Sequence, residues 1–194
     1  MQKKTESIVH AHLPTQFGTF TVYSHQQSNE SLPTLVMLKP WEEQVPLVRI
    51  HSECLTGDAL GSMRCDCGFQ LQESLRLIQE EGGLLIYLRQ EGRGIGLHEK
   101  IQAYRLQDQG LDTVEANLRL GHPADQRNYK EAAQILRHYG IHKARLLTNN
   151  PEKLSQLEQE GIQITERIPL VKAMDEFNEK YLQTKKEKFG HYYD

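Results

Sequence analysis

Two apolar segments near the N-terminus carry the pattern of β-strands. Residues 18–24 alternate between apolar and polar side chains, which is typical of a half-buried strand, and residues 34–38 form a second strand candidate. Residues 26–33 between them are polar and rich in turn formers, which favours a loop. Residues 1–45 are therefore predicted to form a small β-rich N-terminal part.

After residue 45 the pattern changes to strands that alternate with amphipathic helices. Strands are predicted at residues 47–51, 84–88, 144–148 and 162–168, and helices at residues 69–81, 97–109, 112–121, 126–139 and 176–188. A further helix is predicted to begin after Asn150, because Asn is a favourable N-cap and Pro151 suits the first helical position.

This alternation predicts an α/β fold, a layered α/β/α sandwich around a mixed sheet with a small N-terminal β section. Within a single domain of residues 1–194, residues 46–170 would form the α/β core and residues 171–194 a helical tail. Ligands of such folds bind beyond the carboxyl ends of the strands. The segments that follow the predicted strands are therefore the first candidates for a site.

The composition is that of an ordinary globular protein and excludes several classes. The chain has 194 residues, of which 38% are hydrophobic and 25% charged, and its net charge is −3. This charge provides no global field for nucleic acid, and no apolar run is long enough to span a bilayer. Residues 1–6 lead into no apolar signal core. A cytoplasmic location is predicted, without a nucleic-acid or membrane partner.

Three cysteines, Cys54, Cys65 and Cys67, crowd into one short segment, and the chain has no others. An odd number does not suit a disulfide scaffold, and a reducing compartment would keep the thiols free. Catalytic zinc commonly takes three protein ligands and keeps a fourth position for water, and three thiolates supply that number. The alternative is three free thiols in a core or loop, although the polar Arg64 and Asp66 make a poor core segment.

His51 and Glu53 match the H-x-E half of the zinc deaminase signature. The P-C-x-x-C half is missing, since only one residue separates Cys65 from Cys67. A nucleobase deaminase is therefore the less favoured alternative, although attack of metal-activated water on a purine would be shared chemistry. His51 is also a possible metal ligand, but a lone strand histidine is more often packed or solvated.

A glycine-rich loop at residues 90–96 lies between a predicted strand and a predicted helix. Backbone amides in such a loop can point at an anion, helped by the helix dipole, and the planar guanidinium of Arg93 suits phosphate. The loop is neither a Rossmann nor a Walker sequence. The alternative is a tight connection that needs glycine for its backbone conformation alone.

Asp125 and Arg127 stand where a helix is predicted to begin, and their simplest interpretation is structural. Asp125 would be the N-cap and Arg127 a solvated residue of the first turn. Thr148 likewise fits a strand-to-helix turn. Lys153 lies early in a predicted helix, where the dipole disfavours a cation, so a nearby anion would explain it better.

Together these residues resemble one family, GTP cyclohydrolase II. The matching segments are RIHSECLTGD at 49–58, GSMRCDCG at 61–68, YLRQEGRGIGL at 87–97, LQDQGLDTVEAN at 106–117 and LLTNNP at 146–151. Asn128 and the pair His98 and Glu99 depart from the usual residues, but none stands at an implied ligand or catalytic position. The chain resembles the stand-alone enzyme and not the fusion with dihydroxybutanone phosphate synthase.

The resemblance implies hydrolytic opening of the imidazole ring of GTP, with loss of formate and pyrophosphate, as the first committed step of riboflavin biosynthesis. The product would be 2,5-diamino-6-hydroxy-4-(5-phosphoribosylamino)pyrimidine. The resemblance also implies one Zn²⁺ per chain on Cys54, Cys65 and Cys67, Mg²⁺ on the GTP phosphates, and a homodimer. The implied GTP contacts are Arg49, Ile50, His51, Ser52, Glu53, Gln70, Glu91, Gly92, Arg93, Thr113, Thr148 and Lys153.

The resemblance also implies catalytic roles for Asp125, Arg127 and Tyr104. Asp125 would accept a proton, Arg127 would attack or orient the α-phosphate, and Tyr104 would orient the water or the formyl group. Because a guanidinium is effectively always charged, stabilisation of transition-state charge is the better role for Arg127. A non-enzymatic nucleotide-binding relative is a third hypothesis, which the presence of all these residues disfavours.

Overall fold

A computed structural model describes residues 7–26, 32–42, 45–173 and 178–192. Most of the predicted loop at 26–33 and the start of the predicted tail helix, residues 176–177, lie outside the described residues. The strands are β1 (Ser7–Thr15), β2 (Gly18–Gln26), β3 (Thr34–Lys39), β4 (Leu47–Ser52), β5 (Gly83–Leu88), β6 (Lys143–Leu147) and β7 (Gln163–Ile168).

The α-helices and one 3₁₀ turn fill the connections between these strands. They are α1 (Leu55–Asp58), α2 (Cys67–Glu81), the 3₁₀ turn (Glu91–Gly94), α3 (Leu97–Asp108), α4 (Thr113–Arg119), α5 (Lys130–His138), α6 (Pro151–Gln159) and α7 (Glu179–Phe189). Within the described ranges, no helix has both the length and the apolar character that a bilayer span requires.

The seven strands of the described residues form one mixed sheet in the order β1-β2-β3-β5-β4-β6-β7. β1, β2, β3 and β5 pair antiparallel, and β5, β4, β6 and β7 pair parallel. The predicted α/β fold is confirmed, and the first three strands extend the sheet of the core. β1, the outermost strand, was not predicted. Its Val9 is 62% exposed, so no buried face marks this strand in the sequence.

Alternate residues of the central strands fill two separate cores. On β5, Leu84 and Ile86 pack on the face that α5 and α6 cover. Leu85 points the other way and packs with Leu75 and Ile78 of α2. Burial of a side chain of this size contributes about 1.5–3 kcal/mol. Helices therefore cover both faces of the sheet, which is the layered arrangement that the sequence predicts.

The connection from α2 to β5 depends on two glycines with positive φ. Gly82 ends α2 at φ 78°, and Gly83 begins β5 at φ 137°. A Cβ on Gly83 would lie 1.9 Å from the carbonyl oxygen of Leu47 on β4. Glycine at this position therefore lets β5 pair with β4 from its first residue, which brings the loops after both strands side by side.

The sheet opens between the carboxyl ends of β4 and β6. The chain crosses from β4 to β5 on one side and later returns to β6 on the other side of β4. The two strands pair only at Leu47 and Val48 of β4, and further along Lys153 Nζ donates to the Ile50 carbonyl at 2.6 Å. A reversal of strand order of this kind leaves a crevice in which open α/β sheets bind ligands.

The predicted start of a helix is confirmed where a single side chain caps it. Asp112 accepts from the backbone N–H of Glu115, whose carboxylate accepts from the Asp112 N–H in return. Asn150 accepts from the backbone N–H of Glu152 at 3.0 Å. The capping-box helix and the helix after Asn150 are thus confirmed.

The helix predicted at 126–139 begins only at Lys130, so the N-cap role predicted for Asp125 is wrong. The Asp125 carboxylate accepts instead from the backbone N–H of Arg127 at 3.0 Å and from its guanidinium. The N–H of Gln126 donates to the Arg93 carbonyl at 3.1 Å. These bonds tie the segment to the glycine-rich loop and keep it out of the helix.

Candidate active site

A cleft lies at the carboxyl ends of β4, β5 and β6, and its empty space, including the part open to solvent, is about 970 Å³. Most residues that the sequence singled out line it, namely Arg49, His51, Ser52, Glu53, Cys54, Cys65, Cys67, Gln70, Glu91, Gly92, Arg93, Tyr104, Thr113, Arg127, Thr148 and Lys153. Ile50 does not, because its side chain belongs to the core under α5. Asp125 also lies outside the lining and reaches the cleft through Arg127.

The three cysteine thiols converge at one end of this cleft. Cys54 follows β4, Cys65 lies in the next loop, and Cys67 is the first residue of α2. The three sulfur atoms lie within 4.8 Å of one another, with Cys54 Sγ and Cys65 Sγ 3.8 Å apart. Tetrahedral sulfur ligands at the Zn–S length of about 2.3 Å would be about 3.8 Å apart. The triad therefore matches the donor type and spacing of a zinc site.

The backbone of α1 packs against the thiols at Gly57. A Cβ added there would lie 2.8 Å from Cys65 Sγ and 3.2 Å from Cys54 Sγ. The short helix α1, which was not predicted, thus closes one side of the triad. Hydrogen bonds with the other two thiols lower the pKa of Cys54, and the bond with Cys54 helps to raise the pKa of Cys65 to about 11. One thiolate is therefore stabilised among the three cysteines.

His51 is packed beside the triad and is not part of it. Its Nε2 lies 3.0 Å from Asp58 Oδ1, and Arg49 Nη2 lies 3.3 Å from its Nδ1. Because a guanidinium can only donate, Nδ1 is the acceptor and the ring proton lies on Nε2. Burial lowers the pKa of His51 despite the hydrogen bond to Asp58. The structural interpretation of this histidine as a packed residue is therefore favoured over that of a ligand.

Arg49 is fixed by acceptors from three elements. It donates to the Leu147 carbonyl at 2.9 Å and to Gln70 Oε1 at 2.7 Å, in addition to its contact with His51. Gln70 in turn donates to Asp66 Oδ2 at 2.7 Å, so its amide orientation is set as well. The floor of the cleft is thus held in place before any ligand binds.

The glycine-rich loop forms a 3₁₀ turn with two consecutive left-handed residues. Gly92 and Arg93 both have φ 63°, and Arg93 is the only non-glycine residue in the described part of the chain with positive φ. The guanidinium of Arg93 lies 4.2 Å from the ring centre of Phe189 at the end of α7. Successive backbone N–H groups of a turn can form a concave group of donors that binds anions.

Basic side chains crowd together along the cleft, and each makes it harder for its neighbours to bind a proton. Burial lowers the pKa of Lys153, and repulsion from Arg49 and Arg127 lowers it further. Burial likewise lowers the pKa of His191 to about 2, and neighbouring cations add to that decrease. In the described structure, Arg93 Nη1 and Arg49 Nε are buried without a hydrogen-bond partner. Unused donors, and basic groups that neighbouring cations keep from binding a proton, both favour a polyanionic ligand.

Asp125 and Arg127 form a partly buried ion pair at the edge of the cleft, with side chains 27% and 17% exposed. Arg127 Nε lies 2.9 Å from Asp125 Oδ1 and 3.1 Å from Oδ2. Burial alone would raise the pKa of Asp125, but the bonds and charge of Arg127 hold it below its ordinary value. Arg127 is therefore not the solvated residue of the structural alternative, and Asp125 is an ionised acceptor.

Tyr104 of α3 stands over the cysteine end of the cleft. Its hydroxyl lies 3.3 Å from Thr56 Oγ1, which is 3.7 Å from Cys54 Sγ. Burial raises the pKa of Tyr104, so the phenol remains protonated at neutral pH and can donate a hydrogen bond.

The cleft also contains residues that were not predicted. α3 contributes Lys100. α7 contributes Tyr181 and Lys185, and His191 follows α7. Lys100 lies one helical turn before Tyr104, so helical spacing could have placed both on one face. The polar tail helix offers no comparable signal, because its docking place depends on the whole fold.

The fold and the cleft define a class, namely an α/β protein with a cysteine triad beside a cationic pocket. The family model of GTP cyclohydrolase II matches residues 6–169 of the chain. The chain belongs to the GTP cyclohydrolase II family.

Curated relatives agree with this family. GTP cyclohydrolase-2 of Actinobacillus succinogenes is 51% identical over 192 residues, covering 97% of this chain and 88% of that protein. GTP cyclohydrolase-2 of Picrophilus torridus is 53% identical over 184 residues, covering 93% and 95%. The riboflavin biosynthesis protein RibBA of Porphyromonas gingivalis is 53% identical over 195 residues, covering 97% of this chain and 48% of that protein. The chain thus spans about half the length of RibBA.

A solved structure is also similar to the chain. The structure of RibBX, a two domain 3,4-dihydroxy-2-butanone 4-phosphate synthase from A. baumannii, has a TM-score of 0.47 and 18% sequence identity. The match covers 86% of this chain and 41% of that chain.

Proposed function

We propose that this chain hydrolyses GTP in a zinc-dependent reaction that opens the imidazole ring, as the first committed step of riboflavin biosynthesis. The products would be 2,5-diamino-6-hydroxy-4-(5-phosphoribosylamino)pyrimidine, formate and pyrophosphate. One observation carries the proposal: three converging thiols adjoin a cationic cleft in a member of the GTP cyclohydrolase II family. A thiolate-bound metal and a nucleoside triphosphate would occupy adjacent places there.

Cys54, Cys65 and Cys67 would hold one zinc ion. When bound, zinc acts as a Lewis acid and lowers the pKa of water to about 7, which makes a nucleophile available at neutral pH. The sulfur spacing supports this assignment, as does the lack of room for any side chain at Gly57. His51 would orient the neighbouring loop through Asp58 and would not be a fourth ligand.

The base and ribose of GTP would bind along the end of β4 and the start of α2. The proposed contacts there are Arg49, Ile50, His51, Ser52, Glu53 and Gln70, and Ile50 would contribute through its backbone only. The Arg49 side chain is fixed in place by Gln70 and Leu147, so GTP would meet donors that need little reorganisation.

The triphosphate would bind between the 3₁₀ turn and the start of α6. The proposed contacts there are Glu91, Gly92, Arg93, Thr113, Thr148 and Lys153, of which Glu91 would act by holding the turn through the Gly92 N–H and not by placing its carboxylate on phosphate. The unused Nη1 of Arg93 and the repulsion that Lys153 experiences support an anion in this position. Mg²⁺ would bind to the phosphates of GTP and enter the cleft with them. The cysteine triad is the one metal-ligating cluster that the described residues form, and thiolates do not suit Mg²⁺.

Arg127, Asp125 and Tyr104 would carry the catalytic roles. Arg127 would stabilise negative charge on the α-phosphate as pyrophosphate leaves, because its guanidinium is permanently charged and held by Asp125. The low pKa of Asp125 supports an ionised proton acceptor. Tyr104 would donate from its phenol to the water or the departing formyl group, in keeping with its raised pKa.

A product assay tests the proposal directly. Zinc-loaded protein incubated with GTP and Mg²⁺ should release formate and a pyrimidine product in equal amounts, together with pyrophosphate. Cys54→Ser should lose both bound zinc and turnover. Ammonia in place of formate would indicate a deaminase, and GTP that binds but stays intact would indicate a non-enzymatic relative. Either result would refute the proposal.

We further propose that residues 1–194 form one domain of a cytoplasmic homodimer that acts on GTP without nucleic-acid or membrane partners. The net charge of −3 and the local nature of the cationic cleft support a small anionic substrate. Light scattering at several protein concentrations would test the dimer.

A further inference from the structure

We propose that Lys100 is a positioning residue that joins the metal-binding triad to the phosphate-binding turn. Its ammonium Nζ lies 3.1 Å from Cys54 Sγ and 2.8 Å from Glu91 Oε1. The side chains of Lys100 and Glu91 are each 10% exposed, so water screens this contact little. The inference rests on the proposed zinc site and adds a residue to it.

Glu91 makes the link to the turn specific. Its Oε1 also accepts from the Gly92 N–H at 2.9 Å, and its Oε2 accepts from the Leu55 N–H at 2.6 Å. Leu55 directly follows Cys54, so one carboxylate holds both the residue after a metal ligand and the turn that would bind phosphate. Lys100 completes this network, because its ammonium bonds both to the Cys54 thiol and to the Glu91 carboxylate.

The charge of Lys100 is as important as its geometry. Three thiolates around one divalent ion leave an excess negative charge in a buried place, and an ammonium at hydrogen-bond distance offsets it. A bond of this kind also fixes the direction of the Cys54 side chain. Removal of groups that hold metal ligands typically weakens metal affinity by about 10- to 100-fold.

Zinc affinity measured by competition with a chromophoric chelator tests this role without any assay of turnover. We expect Lys100→Met to bind zinc about 10- to 100-fold more weakly than the unchanged protein. Lys100→Arg keeps the charge and a donor and should restore most of the affinity. Arg105→Met removes an exposed cation from the same helix and should leave the affinity unchanged.

Cobalt(II) as a probe reports on Cys54 itself. The hydrogen bond from Lys100 stabilises the sulfur lone pairs, so its loss in Lys100→Met should move the sulfur-to-cobalt charge-transfer band to lower energy. A general loss of stability would not move this band. Lys100→Gln, which keeps a polar side chain without charge, serves if Lys100→Met does not fold, and it should also weaken zinc binding.

The outcomes separate this inference from the function on which it rests. Unchanged protein that binds no zinc would refute the proposed zinc site. Unchanged protein that binds zinc, together with Lys100→Met and Lys100→Gln variants of equal affinity and an unshifted cobalt band, would overturn the role of Lys100 alone.

Discussion

At the scale of single residues, the shape of the cysteine triad depends on a position without a side chain. Gly57 lies against all three cysteines, and its missing Cβ leaves the room that the sulfur atoms occupy. Its φ is not in the left-handed region, so the requirement for glycine here is steric and not conformational. The close packing of the three cysteines therefore requires glycine at position 57.

Gly57→Ala should weaken zinc binding by at least about tenfold, because the added methyl group would force Cys65 and Cys54 apart. Isothermal titration of zinc into metal-free protein would measure the loss. Leu60→Ala alters a side chain that is 72% exposed just after α1 and provides the control, which should bind zinc normally. Equal affinities of the two variants would contradict the geometry of the triad.

Lys153 gives a prediction about pH, because burial lowers its pKa in the folded protein. Between that lowered value and the ordinary value of about 10.4, the unfolded chain binds one proton more than the folded protein. Stability should therefore increase as pH rises through this window, by up to about 1.4 kcal/mol per pH unit. Above the ordinary pKa both states are neutral, and the destabilisation disappears.

Urea unfolding of the metal-free protein from neutral to alkaline pH would show this dependence. Lys153→Met lacks the titrating group. The free energy of unfolding of the unchanged protein, relative to that of the variant, should therefore increase as pH rises. Lys143→Met, at an exposed position of β6, should follow the unchanged protein throughout. Parallel curves for the unchanged protein and Lys153→Met would show that folding does not lower the pKa of Lys153.

At the scale of elements, the 3₁₀ turn combines a proposed phosphate-binding side chain with a strained backbone. Arg93 at φ 63° bears a left-handed conformation that costs a non-glycine residue about 1–2 kcal/mol. Arg93→Gly removes this strain but adds backbone freedom to the unfolded chain, about 0.5–1 kcal/mol in the opposite direction. We expect nearly unchanged stability and a large loss of affinity for a non-hydrolysable GTP analogue.

Gly92→Ala, in contrast, should destabilise the protein. Its φ is also 63°, and a Cβ would lie 3.1 Å from Lys100 Cβ and from a side-chain carbon of Ile95. Chemical denaturation should therefore show a clear destabilisation for Gly92→Ala and almost none for Arg93→Gly. If Arg93→Gly binds the analogue as well as the unchanged protein does, Arg93 is a backbone element of the turn and not a phosphate ligand.

Elements with local signals could be predicted from the sequence, and elements set by distant contacts could not. The capping box at Asp112 is complete within four residues, and its helix is confirmed. The start of α5 depends on Gln126, which bonds to Arg93 more than thirty residues earlier, so the pattern of apolar positions placed it too early. The cysteine spacing is also a local signal, and the fold does bring the three cysteines together.

At the scale of the whole molecule, the C-terminal helix docks on the segment that carries Cys65 and Cys67 through a buried ion pair. Lys185 Nζ lies 2.6 Å from Asp66 Oδ1, and Asp66 is fully buried between Cys65 and Cys67. The two residues are 119 positions apart. Gln70 also donates to Asp66, so this carboxylate joins α2 to α7. No sequence pattern could have revealed the contact, because only the assembled sheet brings the tail to the cleft.

Lys185→Met should destabilise the protein by about 3–5 kcal/mol, since it leaves the Asp66 carboxylate buried without its cationic partner. Adding Asp66→Asn to Lys185→Met should recover part of the loss, because the unpaired charge is then removed. Lys188→Met is the matched control, since Lys188 pairs with Asp112 at the surface and water screens that pair. Urea unfolding of the four proteins would decide the point. If Lys185→Met and Lys188→Met are equally stable, the tail helix is not held by Asp66, and its place in the wall of the cleft must have another cause.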